Sequence, residues 1–183
     1  MDNLYIKKVL SGDTEAFRYF VNTYKDFAFS LSFSILKNSY IAEEAVQESF
    51  IKSFEKLASF RKDASFKTWF GRIVINESLR KINKKTVLAM DEISEDLIKT
   101  VEDAVDTLSK NEQKVLISDV FDLLQPNESI VLELFYIKEN SIKEVVEMTT
   151  WSESKIKMLL LRGKKSFYNK LSKKLKNEME DIL

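Results

Sequence analysis

Residues 141–163 read SIKEVVEMTTWSESKIKMLLLRG, and this stretch predicts two helices joined by a short turn. Ser141 and Glu144 are spaced as a capping box, in which each side chain satisfies a backbone donor of the other residue. The turn falls at Thr149–Trp151, and Ser152 is placed to cap the second helix. The short helix, the three-residue turn and the longer helix have the dimensions of a helix-turn-helix.

In such a unit the second helix enters the major groove of DNA. Ile156, Leu160 and Gly163 are expected to face inward, which leaves a polar and basic outer face. The candidate DNA contacts on this helix are Ser154, Lys155, Lys157, Met158, Leu161, Arg162 and Lys165. The alternative is an ordinary helical hairpin whose exterior happens to be basic.

The rest of the chain also predicts helices. One proline and three glycines in 183 residues leave little material for hairpins or a strand-rich sandwich. Apolar residues recur at helical spacing from Asp13 to Ile35, as one long helix or two that break near Tyr24. Further helices are expected at 42–57, 66–85, 109–124 and 127–136. The predicted fold class is all-α.

Two helical domains are expected on either side of a linker. The acidic stretch 86–108 has only weak apolar periodicity and is assigned as the linker. The domains are then 1–85 and 109–183, and the second contains the helix-turn-helix.

The composition excludes much enzyme chemistry. The chain has no cysteine and no histidine, which removes thiol nucleophiles, imidazole bases and the usual zinc ligand sets. We therefore expect no enzyme activity, no metal and no cofactor. No apolar run approaches the ~18 residues of a membrane span, so a cytoplasmic protein without a membrane span is expected.

The zero net charge conceals two basic blocks around an acidic one. Residues 61–85 carry 8 basic and 2 acidic side chains, 86–150 carry 5 and 15, and 151–183 carry 9 and 4. Two basic stretches far apart in sequence suggest two contacts with one polyanion. The alternative is that each block is a solvated helix face.

The first basic block interleaves cations with aromatic rings. Phe66, Trp69 and Phe70 alternate with Arg61, Lys62, Lys67 and Arg72, a combination suited to the bases and backbone of single-stranded DNA. For Trp69, packing in the core is the more common role. A helix beginning at Phe66, capped by Asp63 or Ser65, is expected to pack on one face and expose Thr68, Arg72, Asn76, Leu79 and Asn83 on another.

The motifs together resemble extracytoplasmic-function sigma factors of bacterial RNA polymerase. Region two is represented by Gly12-Asp13-x-Glu15-Ala16-Phe17, Ala42-Glu43-Glu44-x-x-Gln47-Glu48-x-Phe50 and Phe66-x-Thr68-Trp69-x-x-x-Ile73-x-x-Asn76. Region four is represented by Leu124-x-Pro126, Ser141-x-x-Glu144 and Ile156-Lys157-x-x-Leu160-x-Arg162. The resemblance covers nearly the whole chain except the linker.

The resemblance implies a division of labour. Region two would bind the polymerase clamp, through Glu43, Glu44, Gln47 and Glu48, and also the minus-ten element. The opened strand and a flipped base would be held by Arg61, Lys62, Asp63, Ser65, Phe66, Lys67, Trp69, Arg72, Asn76 and Arg80. Region four would bind the minus-thirty-five element. Core RNA polymerase, promoter DNA and an anti-sigma factor are the implied partners.

Three residues depart from the family pattern, all in region four. Val146 replaces a small alanine, Thr150 replaces the glycine of the turn, and Leu159 replaces an arginine. A β-branched residue is costly where a turn needs positive φ. The alternatives to a sigma factor are a stand-alone helix-turn-helix regulator that acts without polymerase, and a helical adaptor that binds only protein.

Overall fold

The computed structural model describes residues 1–61, 63–82 and 109–180, and the side chains as far as residue 175. The expected linker at 86–108, together with Lys62 and Asn83, lies outside the described residues. Every regular element in the described ranges is a helix, so the all-α prediction is confirmed. None of these helices is long and apolar enough to cross a membrane.

The amino-terminal half, residues 1–82, is a bundle of four helices with two short 3-10 turns. The α-helices are α1 Asp2–Leu10, α2 Arg18–Leu36, α3 Ser39–Glu55 and α4 Phe66–Lys81, and the 3-10 turns are Thr14–Phe17 and Leu57–Ser59. Helix α2 passes through Tyr24 without interruption, so the alternative of one long helix is the correct one.

Side-chain caps set where these helices begin. Asn38 accepts from the backbone N–H of Ile41 at 3.0 Å and starts α3. Ser65 accepts from the backbone N–H of Thr68 at 3.1 Å and starts α4, so the cap of this helix is Ser65 and not Asp63. Each cap satisfies a backbone donor that has no partner inside the helix.

The carboxyl-terminal half, residues 109–180, contains the second group of helices. They are α5 Lys110–Asp122, α6 Pro126–Leu132, α7 Ile142–Thr149 and α8 Glu153–Glu180, with a π-helical turn at Glu133–Ile137 after α6. Both expected capping boxes are present, at Ser109 with Glu112 and at Ser141 with Glu144. Proline at the first position of α6 fits because that position needs no backbone donor.

The two halves share a hydrophobic core. Phe20, Phe70 and Val74 of the amino-terminal half belong to the same buried cluster as Leu134 and Met148 of the carboxyl-terminal half. A smaller cluster of Leu116, Val120 and Leu171 holds α5 against α8. The described halves therefore pack directly against each other.

Helix α4 is covered on more sides than expected. The expectation that Thr68 lies on an exposed face was wrong, because its side chain is only 3% exposed and its hydroxyl pairs with that of Ser65 at 2.8 Å. Helices α2, α3 and α7 all pack on α4, so one helix meets three neighbours. A helical wheel assigns one buried face to a helix, so it could not predict that α4 is covered by three neighbours.

Candidate nucleic-acid interface

The loop before α4 forms one side of an open cleft. Arg61 and Asp63 are exposed there, whereas the Ser65 hydroxyl is engaged in capping α4. The cleft has a volume of about 330 Å³ and is lined by Met1, Asp2, Asn3, Phe60, Ala64, Ser65 and Phe66.

Two tyrosines fix α1 beside this cleft. Asp2 accepts from the hydroxyls of Tyr19 at 2.8 Å and Tyr24 at 2.7 Å. Burial, together with the hydrogen bond to Asp2, raises the pKa of Tyr24 above its ordinary value. Both phenols therefore stay protonated and act as donors, which fixes the wall of the cleft.

The aromatic residues of α4 are mainly structural. Phe66 is 2% exposed, and its ring centroid lies 4.2 Å from that of Phe20. The ring fills the core and is not accessible to DNA in this structure, so the contact of Phe66 with DNA stays a prediction that would require the ring to leave the core. Trp69 is half-buried and packs against Phe60 at 5.2 Å between ring centroids, which leaves part of the indole at the surface.

Two cations predicted to contact DNA are engaged with the other half of the chain. The Lys67 ammonium donates to the side-chain oxygen of Asn140 at 3.3 Å. The Arg72 guanidinium donates to the backbone carbonyl of Glu147 through both Nε and a terminal nitrogen. Asn76, one turn further along α4, is exposed.

Arg80 and Lys81 join the end of α4 to the acidic helix α3. The Arg80 guanidinium bridges Glu48 and Glu77, and the Lys81 ammonium contacts Glu44 at 3.2 Å and Glu48 at 3.0 Å. The hydrogen bond from Lys81 holds the pKa of Glu48 below its ordinary value. Arg80, predicted as a DNA contact, is thus directed at carboxylates.

The acidic face of α3 remains largely accessible. Glu43, Glu44 and Gln47 are exposed and Glu48 is half-buried, so the four predicted polymerase contacts lie along one side of the helix. Their chemistry fits a basic protein surface. Adjacent carboxylates here do not converge on a common point, as an acid–base pair would.

The helix-turn-helix is formed by α7, the turn and α8. Thr150 adopts φ 62°, the left-handed conformation that its β-branched side chain disfavours. The hydroxyl of Ser152 accepts from the backbone N–H of Lys155 at 3.2 Å, as expected of a cap. Trp151 lies under the Lys155 ammonium, 4.3 Å from the ring centroid.

The outer face of α8 is exposed and basic. Ile156 and Gly163 face the core as expected, but Leu159 is buried and Leu160 only half-buried. The arginine-to-leucine departure at Leu159 is thereby explained, since the side chain packs inside. Lys155 is half-buried, and the other predicted contacts are exposed: Ser154, Lys157, Met158, Leu161, Arg162 and Lys165.

The residues that join the halves were missed at the sequence level. Asn140 is 4% exposed, and its amide donates to the carbonyl of Leu134 at 2.9 Å. Glu133 is buried and accepts from Ser30 and from Lys138. Glu133 stands inside the apolar run Val131–Ile137, and a carboxylate in such a run indicates a buried acid that needs hydrogen-bond or ion-pair partners. This pattern could have identified Glu133 from the sequence.

Comparison with known proteins places this arrangement in a family. The family model Sigma-70 region 2 matches residues 20–87. The ECF RNA polymerase sigma factor SigW of Bacillus subtilis (strain 168) is 30% identical, and the alignment covers 91% of this chain and 94% of the relative. This chain belongs to the ECF sigma factors of RNA polymerase.

Other members of the family agree with this assignment. The ECF RNA polymerase sigma-E factor of Haemophilus influenzae is 23% identical, with 93% of this chain and 95% of the relative covered. The solved structure of CnrH in complex with the cytosolic domain of CnrY matches with a TM-score of 0.59 at 18% identity, and covers 96% of this chain and 97% of CnrH. The fold of the sigma factor thus extends over both halves.

The sigma factor RpoE of Bartonella quintana, solved in complex with the anti-sigma factor NepR, also shares the fold. It matches with a TM-score of 0.56 at 17% identity, and covers 85% of this chain and 96% of RpoE. This chain therefore resembles ECF sigma factors in sequence over nearly its full length, and it also shares their fold.

Proposed function

We propose that this sigma factor binds core RNA polymerase, directs it to specific promoters and helps to open them. The observation that carries the proposal is that the similarity to SigW spans both halves of the chain. A protein with both halves can contact a promoter at two separated points. The stand-alone regulator and the protein-only adaptor would need only one of these surfaces.

In this proposal, the domain at 1–85 contacts the minus-ten element. The loop residues Arg61, Asp63 and Ser65 face the opened strand. Arg72 and Asn76 contact the same strand from α4. Capture of an unpaired base offsets the cost of unstacking through stacking and hydrogen bonds. Lys62 and Lys67 supply positive charge to the backbone, and the exposed part of Trp69 is available for stacking. Arg80 contributes by holding α4 against α3.

The domain at 109–183 contacts the minus-thirty-five element through α8. The exposed Arg162 and Lys165 suit phosphates or guanine edges, and Ser154 and Met158 lie on the same side of the helix. The linker at 86–108 sets the distance between the two contacts. Such contacts release counterions, so promoter binding should weaken steeply with salt.

Protein partners complete the proposal. The exposed face of α3 at Glu43, Glu44, Gln47 and Glu48 contacts the polymerase clamp. An anti-sigma factor is proposed as a regulator, because RpoE of Bartonella quintana was solved with one. The sigma factor itself forms and breaks no covalent bond, and the reaction is that of the polymerase.

The test is in vitro transcription with purified core polymerase on genomic DNA. We expect new, specific transcripts, which weaken about 5- to 150-fold in Asn76→Ala and in Arg162→Ala, since a lost base contact costs about 1–3 kcal/mol. Asn22→Ala and Arg18→Ala are the matched controls, because both residues are exposed on α2. DNA binding without polymerase would favour the stand-alone regulator, and the absence of both transcripts and core binding would refute the proposal.

A further inference from the structure

Two large apolar side chains lie next to each other on the outer face of α8. Leu161 is 72% exposed and Met158 is 42% exposed. A single exposed leucine is common on protein surfaces, but residues three apart are neighbours on one face of a helix. The core does not need either side chain, since Ile156 and Leu159 are the buried residues of this part of α8. Met158 and Leu161 together are called the apolar strip below.

Cations surround the apolar strip. Lys157, Arg162 and Lys165 each lie four residues from one member of the strip, so they are its neighbours on the helix surface. All three side chains are exposed. The Lys157 ammonium pairs with Glu153 at 2.6 Å, with both side chains well exposed. An exposed pair of this kind is weak, so Lys157 can exchange the carboxylate for a phosphate.

This arrangement of charge fits nucleic acid as the partner of the apolar strip. The strip is only two side chains wide, and an apolar protein groove that covered it would also receive the positive charges beside it. Duplex DNA offers phosphates along the groove and base edges at its floor. In a helix-turn-helix the amino-terminal residues of the second helix contact base edges. Met158 and Leu161 both lie in the first three turns of α8.

Only one base presents an apolar group in the major groove. Thymine carries a methyl group at C5, whereas the other three bases are distinguished there by hydrogen-bond donors and acceptors. An apolar side chain that covers a donor or an acceptor removes water without replacing its hydrogen bond, which is unfavourable. The apolar strip is therefore suited to thymine and disfavours the other bases.

We infer that Met158 and Leu161 read thymine methyl groups, so that the minus-thirty-five element contains two thymines in neighbouring base pairs. The inference rests on the proposed function and specifies which base its upstream contact selects. The Cβ atoms of residues three apart on a helix are about 5–6 Å apart, which is less than two of the ~3.4 Å steps between base pairs. The two thymines lie on one strand or on opposite strands, since both strands present their methyl groups in the major groove.

Replacement of thymine by uracil in the minus-thirty-five element tests this inference, because uracil lacks only the C5 methyl group. The promoter is one that the transcription assay identifies, and uracil is placed only upstream of the minus-ten element. Each buried methyl group changes affinity roughly fourfold, so holoenzyme with the wild-type chain should bind the uracil promoter about 15-fold more weakly. Equal affinity for both promoters would overturn the inference and leave the sigma function intact.

A Met158→Ala/Leu161→Ala variant decides whether the apolar strip senses the methyl groups. Both residues are exposed and alanine favours helix, so the fold should be preserved. Holoenzyme with this variant should bind the thymine promoter about as weakly as the wild type binds the uracil promoter. Uracil should then change its affinity less than about twofold, because the two losses are not additive. Val115→Ala, at an exposed apolar residue of α5, should keep the full discrimination of the wild type.

The remaining outcomes each count against the inference. A double variant that still distinguishes thymine from uracil about 15-fold would show that the methyl groups act elsewhere, for example through the shape of the DNA. Weaker binding of the double variant to core polymerase, with discrimination retained, would assign the apolar strip to a protein partner. If wild-type holoenzyme binds neither promoter and gives no transcript, the proposed function fails, and the inference fails with it.

Discussion

The guanidinium group of Arg72 on α4 donates from Nε to the main-chain carbonyl oxygen of Glu147 on α7, at 2.9 Å. Glu147 lies in the last turn of α7, where carbonyl groups have no partner within the helix. The cation therefore meets the negative end of a helix dipole. The acceptor is backbone, so the contact is independent of the side chain at residue 147.

This geometry predicts different effects of two neighbouring substitutions. Arg72→Ala should lower the free energy of unfolding by about 0.5–1 kcal/mol, since the bond lies at the surface. Glu147→Ala should leave the Arg72 bond in place and cost less. Thermal unfolding of both variants checks this, with Asn76→Ala as the exposed control on α4. Equal losses for Arg72→Ala and Glu147→Ala would mean that the glutamate side chain carries the contact.

The buried ammonium group of Lys37 should make the free energy of unfolding depend on pH. Burial lowers the pKa of its ammonium to about 8, against the opposing effect of Asp122 and Glu133. Glu133 is also paired with Lys138 at 3.4 Å, and Lys114 lines the same cleft. In the unfolded chain the pKa is about 10.4. Between these two values the unfolded state binds more protons, so this group makes the folded state more stable as the pH rises.

Urea unfolding of wild type and Lys37→Asn between pH 7 and pH 9.5 measures this effect. Below the folded-state pKa both states carry the charge and the difference should be constant. Above it, the advantage of the wild type should grow by on the order of 1 kcal/mol. Lys25→Asn should follow the wild type at every pH. A difference that stays flat across the range would show that Lys37 remains charged in the folded chain.

The backbone conformation of Thr150 indicates that a substitution at this position should stabilise the protein. Its φ of 62° places a β-branched residue in the left-handed region at the end of α7. Glycine avoids that steric cost, and Thr150→Gly should raise stability by about 0.5–1 kcal/mol. The loss of the hydrogen bond from the Thr150 hydroxyl to the carbonyl of Thr149, 2.6 Å long, offsets part of the gain.

The control is Thr23→Gly, since Thr23 is an exposed residue inside α2. Glycine is a poorer helix former than threonine because the unfolded chain is freer at glycine, so this variant should lose about 0.3–0.5 kcal/mol. Melting temperatures that move in opposite directions support the strain at Thr150. A fall in both would show that the turn accommodates threonine without cost.

The sequence predicted local structure well. Capping boxes at Ser109 and Ser141, the cap at Ser65 and the proline that begins α6 all depend on residues within four positions of each other. Hydrogen bonds of this range are determined by residue type and spacing, so they can be identified without a three-dimensional structure.

Contacts between distant segments could not be predicted in the same way. A helical wheel assigns Thr68 and Arg72 to the free side of α4, whereas α7 lies on that side. The wheel also cannot tell that Phe66 is packed against Phe20 and not open to a base. The burial of Leu159 depends on how α8 crosses α6, which involves residues far apart in sequence.

Gly163 sets how closely the recognition helix α8 approaches α6. A Cβ atom at this position would lie 3.1 Å from Cδ1 and 3.2 Å from Cγ of Leu132, and 3.3 Å from Cβ of Glu128. The Cβ atom of Glu128 is fixed to the backbone and cannot move without the helix, and Cγ of Leu132 can move only if its side chain changes rotamer. Alanine is a better helix former than glycine by about 1 kcal/mol, but crowding of a packed contact costs about 1–3 kcal/mol. Gly163→Ala should therefore be destabilising.

Gly71→Ala is the matched comparison, because its nearest contact is the flexible thioether of Met148. The Met148 side chain can adopt another rotamer, so the helix-forming gain of alanine should offset most of the crowding. Thermal unfolding should rank Gly163→Ala below Gly71→Ala and below the wild type. Gly163→Ala should also weaken binding to duplex promoter DNA by the holoenzyme, since α8 is displaced from its place beside α7. A Gly163→Ala variant as stable as the wild type would show that α6 and α8 separate easily, and that the recognition helix is not fixed by this contact.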